Sequence, residues 1–223
     1  VVGLTLPATP TTQRVMLEVV AALVPGAIAS VVVFGPMFLA SLAAAVVAAV
    51  LTEVVLLRTD RTVTDLSALV TGVLIAFAVP PETPVYLTAL ASALAIGLAK
   101  VAYGGLGRNL FNPAMVGYAL VLVSFPQALS AWSYDAVTGA TALERVSHRF
   151  GATLQEVGLD PAFGAFGAAG FEWVNLWIAI GGIALIVRRI VAWRLVVAFL
   201  IGIGLPAAVT YDSGSSASHG SPI

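Results

Sequence analysis

Apolar residues run along most of the chain in long stretches, and short segments that are polar or rich in Pro and Gly separate them. A helix that crosses the ~30 Å hydrocarbon layer of a membrane needs about 20 apolar residues, because it rises 1.5 Å per residue. The pattern predicts about seven spanning helices, over residues 16–34, 36–57, 66–79, 85–101, 115–129, 174–187 and 195–209. The third stretch is short for a complete crossing and indicates a half-helix or a tilted helix.

Proline and glycine mark the ends and bends of these helices. Pro25-Gly26 in the first stretch predicts a kink, which membrane helices tolerate because neighbouring groups satisfy the freed carbonyl. Gly35-Pro36 predicts a tight turn between the first two helices. Asn112 directly precedes Pro113, and this order is typical of a helix cap followed by the first helical residue.

Composition supports an all-α integral membrane protein built as a multi-span helix bundle. Hydrophobic residues make up 60% of the chain and charged residues 9%, whereas a soluble domain carries about 25% charged residues. The net charge of −1 offers no basic patch for nucleic acid. Without cysteine the chain has no disulfide and holds no thiolate-ligated iron–sulfur cluster by itself. His148 and His219 lie far apart, so no metal site is predicted.

Charged residues near the helix ends indicate how the chain is oriented. Glu18 and Glu53 are open to two interpretations, snorkelling to the interface or an ion or proton site. Snorkelling is favoured because a carboxylate near a span end costs less than one at the centre. If the loops alternate sides, one side holds Arg14, Arg58, Arg61, Lys100, Arg108, Arg188, Arg189 and Arg194, and the other holds Arg145 and Arg149. The richer side is predicted to be cytoplasmic, which places the polar segment 130–172 outside.

The polar segment contains a threonine in a distinctive setting. Thr141-Ala-Leu-Glu144 is a capping box, and spacing alone favours Thr141 as the cap of a short helix on the outer membrane face. A helix N-terminus also stabilises a phosphate. Gly139 and Ala140 leave the hydroxyl unobstructed for a modifying enzyme. Asp135 could be bound by that enzyme, or could help to hold a metal while the modifying group is transferred.

Three stretches carry a resemblance to a known family. They are TQRVMLE with ALVPG in residues 12–26, YGGLGRN with FNPAMVGY in residues 103–118, and Asp135-x-x-Thr138-Gly139-Ala140-Thr141. The chain resembles the D subunit of the Rnf ion-translocating ferredoxin:NAD oxidoreductase, and more distantly the B subunit of the sodium-pumping NADH:quinone reductase. The resemblance extends over about the whole chain.

The resemblance implies that Thr141 carries FMN through a phosphoester, within the motif formed by Asp135, Thr138, Gly139 and Ala140. Thr138 replaces the usual Ser and keeps the hydroxyl, and Ala142 stands where Pro is frequent. A second, noncovalent flavin is left open. Candidates for the slot that receives the flavin ring are Trp132, Tyr134, Asn109 and Asn112. The alternatives are interfacial belting for the two aromatic residues and helix capping for the two asparagines.

The family fold is similar to that of urea channels, with two inverted repeats of five helices. We therefore expect a first membrane bundle over residues 1–129, the outward-facing polar segment 130–172, and from 173–223 the start of a second repeat that continues beyond the chain. The implied role is electron relay coupled to sodium or proton transport in a bacterial inner membrane. The implied partners are the other membrane, flavin and iron–sulfur subunits of the complex, a flavin transferase and the lipid bilayer. The alternative function is a urea-channel-like solute channel without a redox role.

Overall fold

The computed structural model describes residues 11–57, 65–130, 163–164, 167–168 and 171–216, and these residues are predominantly helical. The α-helices are α1 (Thr12–Phe34), α2 (Pro36–Leu57), α3 (Ser67–Ala78), α4 (Val85–Leu94), α5 (Pro113–Ser124), α6 (Pro126–Ser130), α7 (Glu172–Val187) and α8 (Trp193–Ser216). A π-helical segment, Ala95–Val101, follows α4 directly. Strands β1 (Phe163–Gly164) and β2 (Gly167–Ala168) form one short antiparallel pair. The predicted all-α fold class is confirmed.

Each predicted apolar stretch contains a helix. Helices α1 and α2, of 23 and 22 residues, are long and apolar enough to cross a membrane, each with a mean hydropathy of 2.3. The apolar parts of the other five helices in the described part of the chain are shorter, at 10–17 residues; α8 counts only over Trp193–Pro206, and α3 has 12 residues. The shortness predicted for the third stretch is therefore confirmed.

The chain divides into two compact units, Val1–Gly181 and Gly182–Ile223. The first contains α1 to α6 and most of α7, and the second contains α8. The division into residues 1–129, 130–172 and 173–223 stays a prediction, as does the relation to urea channels.

Within the first unit, small residues let the helices approach closely. A Cβ added at Gly72 of α3 would lie 2.7 Å from the Val46 Cα of α2, and one added at Gly117 of α5 would lie 2.2 Å from the Ala91 carbonyl oxygen of α4. Contacts of this kind are typical of membrane helices, where packing rather than water drives association. Helix α2 packs against both α3 and α4, and α4 also packs against α5.

The helix starts follow the predicted chemistry. The Asn112 side chain accepts a hydrogen bond of 3.0 Å from the Ala114 N–H, so Asn112 caps α5 and Pro113 is its first residue. Thr11 caps α1 by accepting from the Arg14 N–H at 3.4 Å. Helix α1 continues through Pro25 without ending.

Candidate functional site

Among the described residues of the first unit, two charged side chains are buried, and they pair with each other. Glu53 of α2 is 1% exposed and Lys100 of the π-helical segment is 2% exposed. The Lys100 Nζ donates hydrogen bonds to Glu53 Oε1 and to Ser67 Oγ at the start of α3. Three sequence-distant elements therefore meet at one ammonium group.

The π-helical segment presents Lys100 to α2. A π turn adds one residue relative to an α-helix, so the residues after it are rotated by about 100° around the helix axis. The same segment packs on α2, where a Cβ added at Gly97 would be in van der Waals contact with Leu56 Cδ1 at 3.6 Å. Segments of this type are frequent at functional sites.

Asp65 extends the network toward the start of α3. Its Oδ1 accepts hydrogen bonds from the Ser67 N–H at 2.8 Å and from the Ser67 hydroxyl at 2.6 Å. Leu66 between them has a φ of 59° in the left-handed region, which costs a non-glycine residue about 1–2 kcal/mol. The two hydrogen bonds to Asp65 hold this strained turn. We name Asp65, Ser67, Lys100 and Glu53 the ionic network.

One buried oxygen of the ionic network has no partner among the described residues. Glu53 Oε2 is buried and makes no hydrogen bond with the described residues. A buried polar atom left without a hydrogen bond costs about 1–3 kcal/mol, and more when it is charged. The network therefore leaves Glu53 Oε2 unsatisfied. An ion pair that only stabilises a fold is expected to have all of its buried polar atoms hydrogen-bonded.

The favoured interpretation of Glu53 as a snorkelling side chain is wrong. Helix α3 and the π-helical segment cover its end of α2, so its carboxylate meets Lys100 rather than the interface. Glu18 differs, because it pairs with Arg14 one turn earlier at 3.3 Å and its side chain is 16% exposed. Lys100 is buried in a helix, so it no longer counts among the loop charges that predict the orientation.

The other Lys and Arg residues still lie mostly on the predicted cytoplasmic side. The orientation stays a prediction.

Asn109 and Asn112 lie at opposite ends of the turn that leads into α5. Asn109 Oδ1 accepts from the Gly107 N–H at 3.2 Å, and its Nδ2 donates to the Phe111 carbonyl at 2.8 Å. The turn uses left-handed glycines, with φ values of 93°, 97° and 81° at Gly104, Gly105 and Gly107. Both asparagines thus bond to the backbone, and their role toward a flavin stays a prediction.

The predicted attachment residues Asp135, Thr138, Gly139, Ala140 and Thr141 lie outside the described residues, as do the slot candidates Trp132 and Tyr134. Their interpretation therefore stays a prediction from the sequence.

Aromatic side chains line a cavity of about 210 Å³ between α1, α3 and α7. The rings of Phe34 and Phe171 are tilted by 53° with centroids 4.8 Å apart, and those of Phe38 and Phe77 are tilted by 56° at 5.3 Å. Asn175 is one of its few polar lining residues. The sequence did not single out this cavity.

These features define an integral membrane helix bundle that packs through small residues and encloses an ionic network. A model of the NQR2, RnfD, RnfE family matches residues 6–223. The chain belongs to this family, and the resemblance to it is confirmed.

Relatives in several bacteria are named as the D subunit of an ion-translocating oxidoreductase complex. The relative from Cellvibrio japonicus is 37% identical over 95% of this chain and 69% of its own length. The one from Ectopseudomonas mendocina is 39% identical with the same coverage. That from Pseudomonas aeruginosa is 36% identical over 95% of this chain and 70% of its own length.

Proposed function

We propose that this chain is the D-type membrane subunit of a bacterial ion-translocating oxidoreductase complex. The observation that carries the proposal is the family match over residues 6–223, together with relatives of that name covering 95% of the chain. Other subunits of such a complex are its partners, and the bacterial inner membrane is its location. The chain acts as part of the complex and is not catalytic alone.

The proposed cofactor is FMN joined by a phosphoester to Thr141, in a complex that passes electrons from ferredoxin to NAD. A flavin supplies one- and two-electron transfer, and the protein holds it, shields it and tunes its potential. Thr141 offers a hydroxyl of the right chemistry for a phosphoester, and the capping box that the sequence predicts there would provide N–H groups and a partial positive charge for the phosphate. The motif from Asp135 to Ala140 is proposed as the site that the flavin transferase recognises.

A urea-channel-like solute channel is the second candidate. The apolar helix bundle supports this candidate, and so does the buried polar network, because a path for a polar solute also needs buried polar groups. It gives no reason for the Asp135–Thr141 motif, and the named relatives belong to redox complexes. The first proposal therefore accounts for more of the observations.

In-gel flavin fluorescence distinguishes the two proposals. The full-length subunit is produced together with a flavin transferase, denatured and separated on a gel. We expect a fluorescent band for the native sequence and for Thr153→Ala, a control threonine in the same polar segment, and none for Thr141→Ala. A dark native band, or fluorescence that persists in Thr141→Ala, contradicts attachment at this residue.

A further inference from the structure

The Ser67 hydroxyl differs from two other buried hydroxyls, which bond only within their own helix. Ser30 donates to the Gly26 carbonyl and Thr71 to the Ser67 carbonyl, each at 2.9 Å and one turn earlier in the same helix. This bond satisfies a hydroxyl locally, so it carries nothing between elements. The Ser67 hydroxyl instead accepts from Lys100 and donates to Asp65. It therefore connects a buried ammonium group to a carboxylate.

Asp65 is the most accessible member of the ionic network, and the other three members are buried. Asp65 is half-buried and adjoins the 58–64 segment, Ser67 is 4% exposed, Lys100 is 2% exposed, and Glu53 is 1% exposed. Each member is hydrogen-bonded to the next. The chain of bonds thus begins at the more accessible end and finishes at a carboxylate oxygen, Glu53 Oε2, that has no partner among the described residues.

We propose that the ionic network is a proton relay, which takes a proton at Asp65 and delivers it to Glu53. This proposal rests on the proposed function, since a buried relay has a use in a complex that translocates ions.

The steps balance with one proton in and one proton delivered. Lys100 passes a proton to the Glu53 carboxylate, which leaves a neutral amine and a carboxylic acid. Ser67 then gives its hydroxyl proton to the Lys100 amine and receives one from protonated Asp65. Lys100 and Ser67 return to their starting states, and Asp65 is protonated again from water. The net change is the movement of one proton from the Asp65 end to Glu53.

The contacts favour a proton over a metal cation. The Lys100 ammonium occupies the position beside Glu53 Oε1, and its positive charge repels a second cation at so short a distance. A proton, in contrast, moves between groups that are already in hydrogen-bond contact, once the Ser67 hydroxyl has turned from Asp65 to donate to the Lys100 amine.

The surroundings contribute no competing charge that faces the relay within the described residues. Helix α3 carries no titratable side chain, α4 contributes the exposed Tyr86, and α5 contributes Tyr118, which packs on the core around Leu87. Helix α1 contributes Arg14 and Glu18, which pair with each other.

Further unsatisfied hydroxyls lie on α2, which carries Glu53, and on α4, which leads into the π-helical segment with Lys100. The hydroxyls of Ser41, Thr88 and Ser92 are buried and make no hydrogen bond with the described residues. Together with Glu53 Oε2 they are the buried side-chain atoms left unsatisfied in the described part of the chain.

The test uses the complete complex in proteoliposomes, with ferredoxin-driven NAD reduction and a pH-sensitive dye. Asp65→Asn keeps an oxygen that accepts from the Ser67 N–H, but its amide cannot take up and release a proton. Ser67→Ala removes the connecting hydroxyl. We expect each to lower proton translocation about 100-fold, whereas Ser67→Thr, which keeps the hydroxyl, retains most of it. Thr71→Val is the matched control, because that hydroxyl bonds only within α3.

Complex yield and in-gel flavin fluorescence report assembly and cofactor loading separately from transport. Normal proton translocation in Asp65→Asn or Ser67→Ala overturns the relay. Transport of sodium alone, equal in all variants, also overturns it and leaves the flavin proposal intact. A native complex that moves no ion contradicts the proposed function, and the relay with it.

Discussion

Removing Lys100 alone should destabilise the subunit strongly. In Lys100→Met, Glu53 Oε1 loses its donor, while Oε2 already has none among the described residues. The carboxylate is 1% exposed, so water does not replace the lost ammonium. Breaking one side of a buried ion pair costs about 3–5 kcal/mol. For a chain of this size, that corresponds to a drop in the unfolding midpoint of about 6–20 °C.

The double variant Glu53→Gln/Lys100→Met separates the ion pair from packing. It removes both charges at similar side-chain volume, so it should recover most of the lost stability, because replacing a buried pair is often close to neutral. The assay is thermal unfolding of the purified subunit in detergent, followed by tryptophan fluorescence. Arg14→Met is the control for an exposed pair and should change stability by less than about 1 kcal/mol.

Two outcomes would refute this reasoning. A Lys100→Met midpoint equal to that of the native subunit would show that Glu53 reaches water or another donor. A double variant as unstable as Lys100→Met would show that packing, rather than an uncompensated charge, causes the loss.

Further predictions concern packing and capping. Gly117→Val should lower the unfolding midpoint by the equivalent of about 1–3 kcal/mol, because its Cβ would lie 2.2 Å from the Ala91 carbonyl oxygen. Gly182→Ala is the control and should be tolerated, because its Cβ would have no heavy atom within 4 Å. Equal losses of stability in the two variants would contradict the close contact at Gly117. Asn112→Ala should cost about 1 kcal/mol and Asn112→Asp much less, since only the latter keeps the cap of α5. Hydrogen exchange of the first turn of α5 checks the cap, and unchanged protection in Asn112→Ala would contradict it.

The helices were predictable because their signal is local. Long apolar runs, the Gly35-Pro36 turn and the Asn112-Pro113 cap each act within a few residues, and the structure has helices at those places. The short third helix was also evident, because the length of an apolar run is read directly from the sequence. The family followed from motifs that are likewise contiguous.

The ionic network was not predictable in the same way. Glu53 and Lys100 are 47 positions apart, and their meeting depends on how α2, α3 and the π-helical segment pack together in three dimensions. The π-helical segment changes which face of the helix carries Lys100, and no local pattern announced it. A partial signal existed, because Lys100 is a charged residue within the apolar run 85–101. A lysine in that position has to find a partner.

Peptide mass analysis tests the central proposal, a flavin-carrying redox subunit, most directly. The subunit is purified from cells that contain the flavin transferase, digested, and the peptide that contains Thr141 is fragmented. We predict a mass increase equal to FMN less one water, located on Thr141 itself. An unmodified Thr141 peptide, or the same mass on another residue, would contradict the proposal.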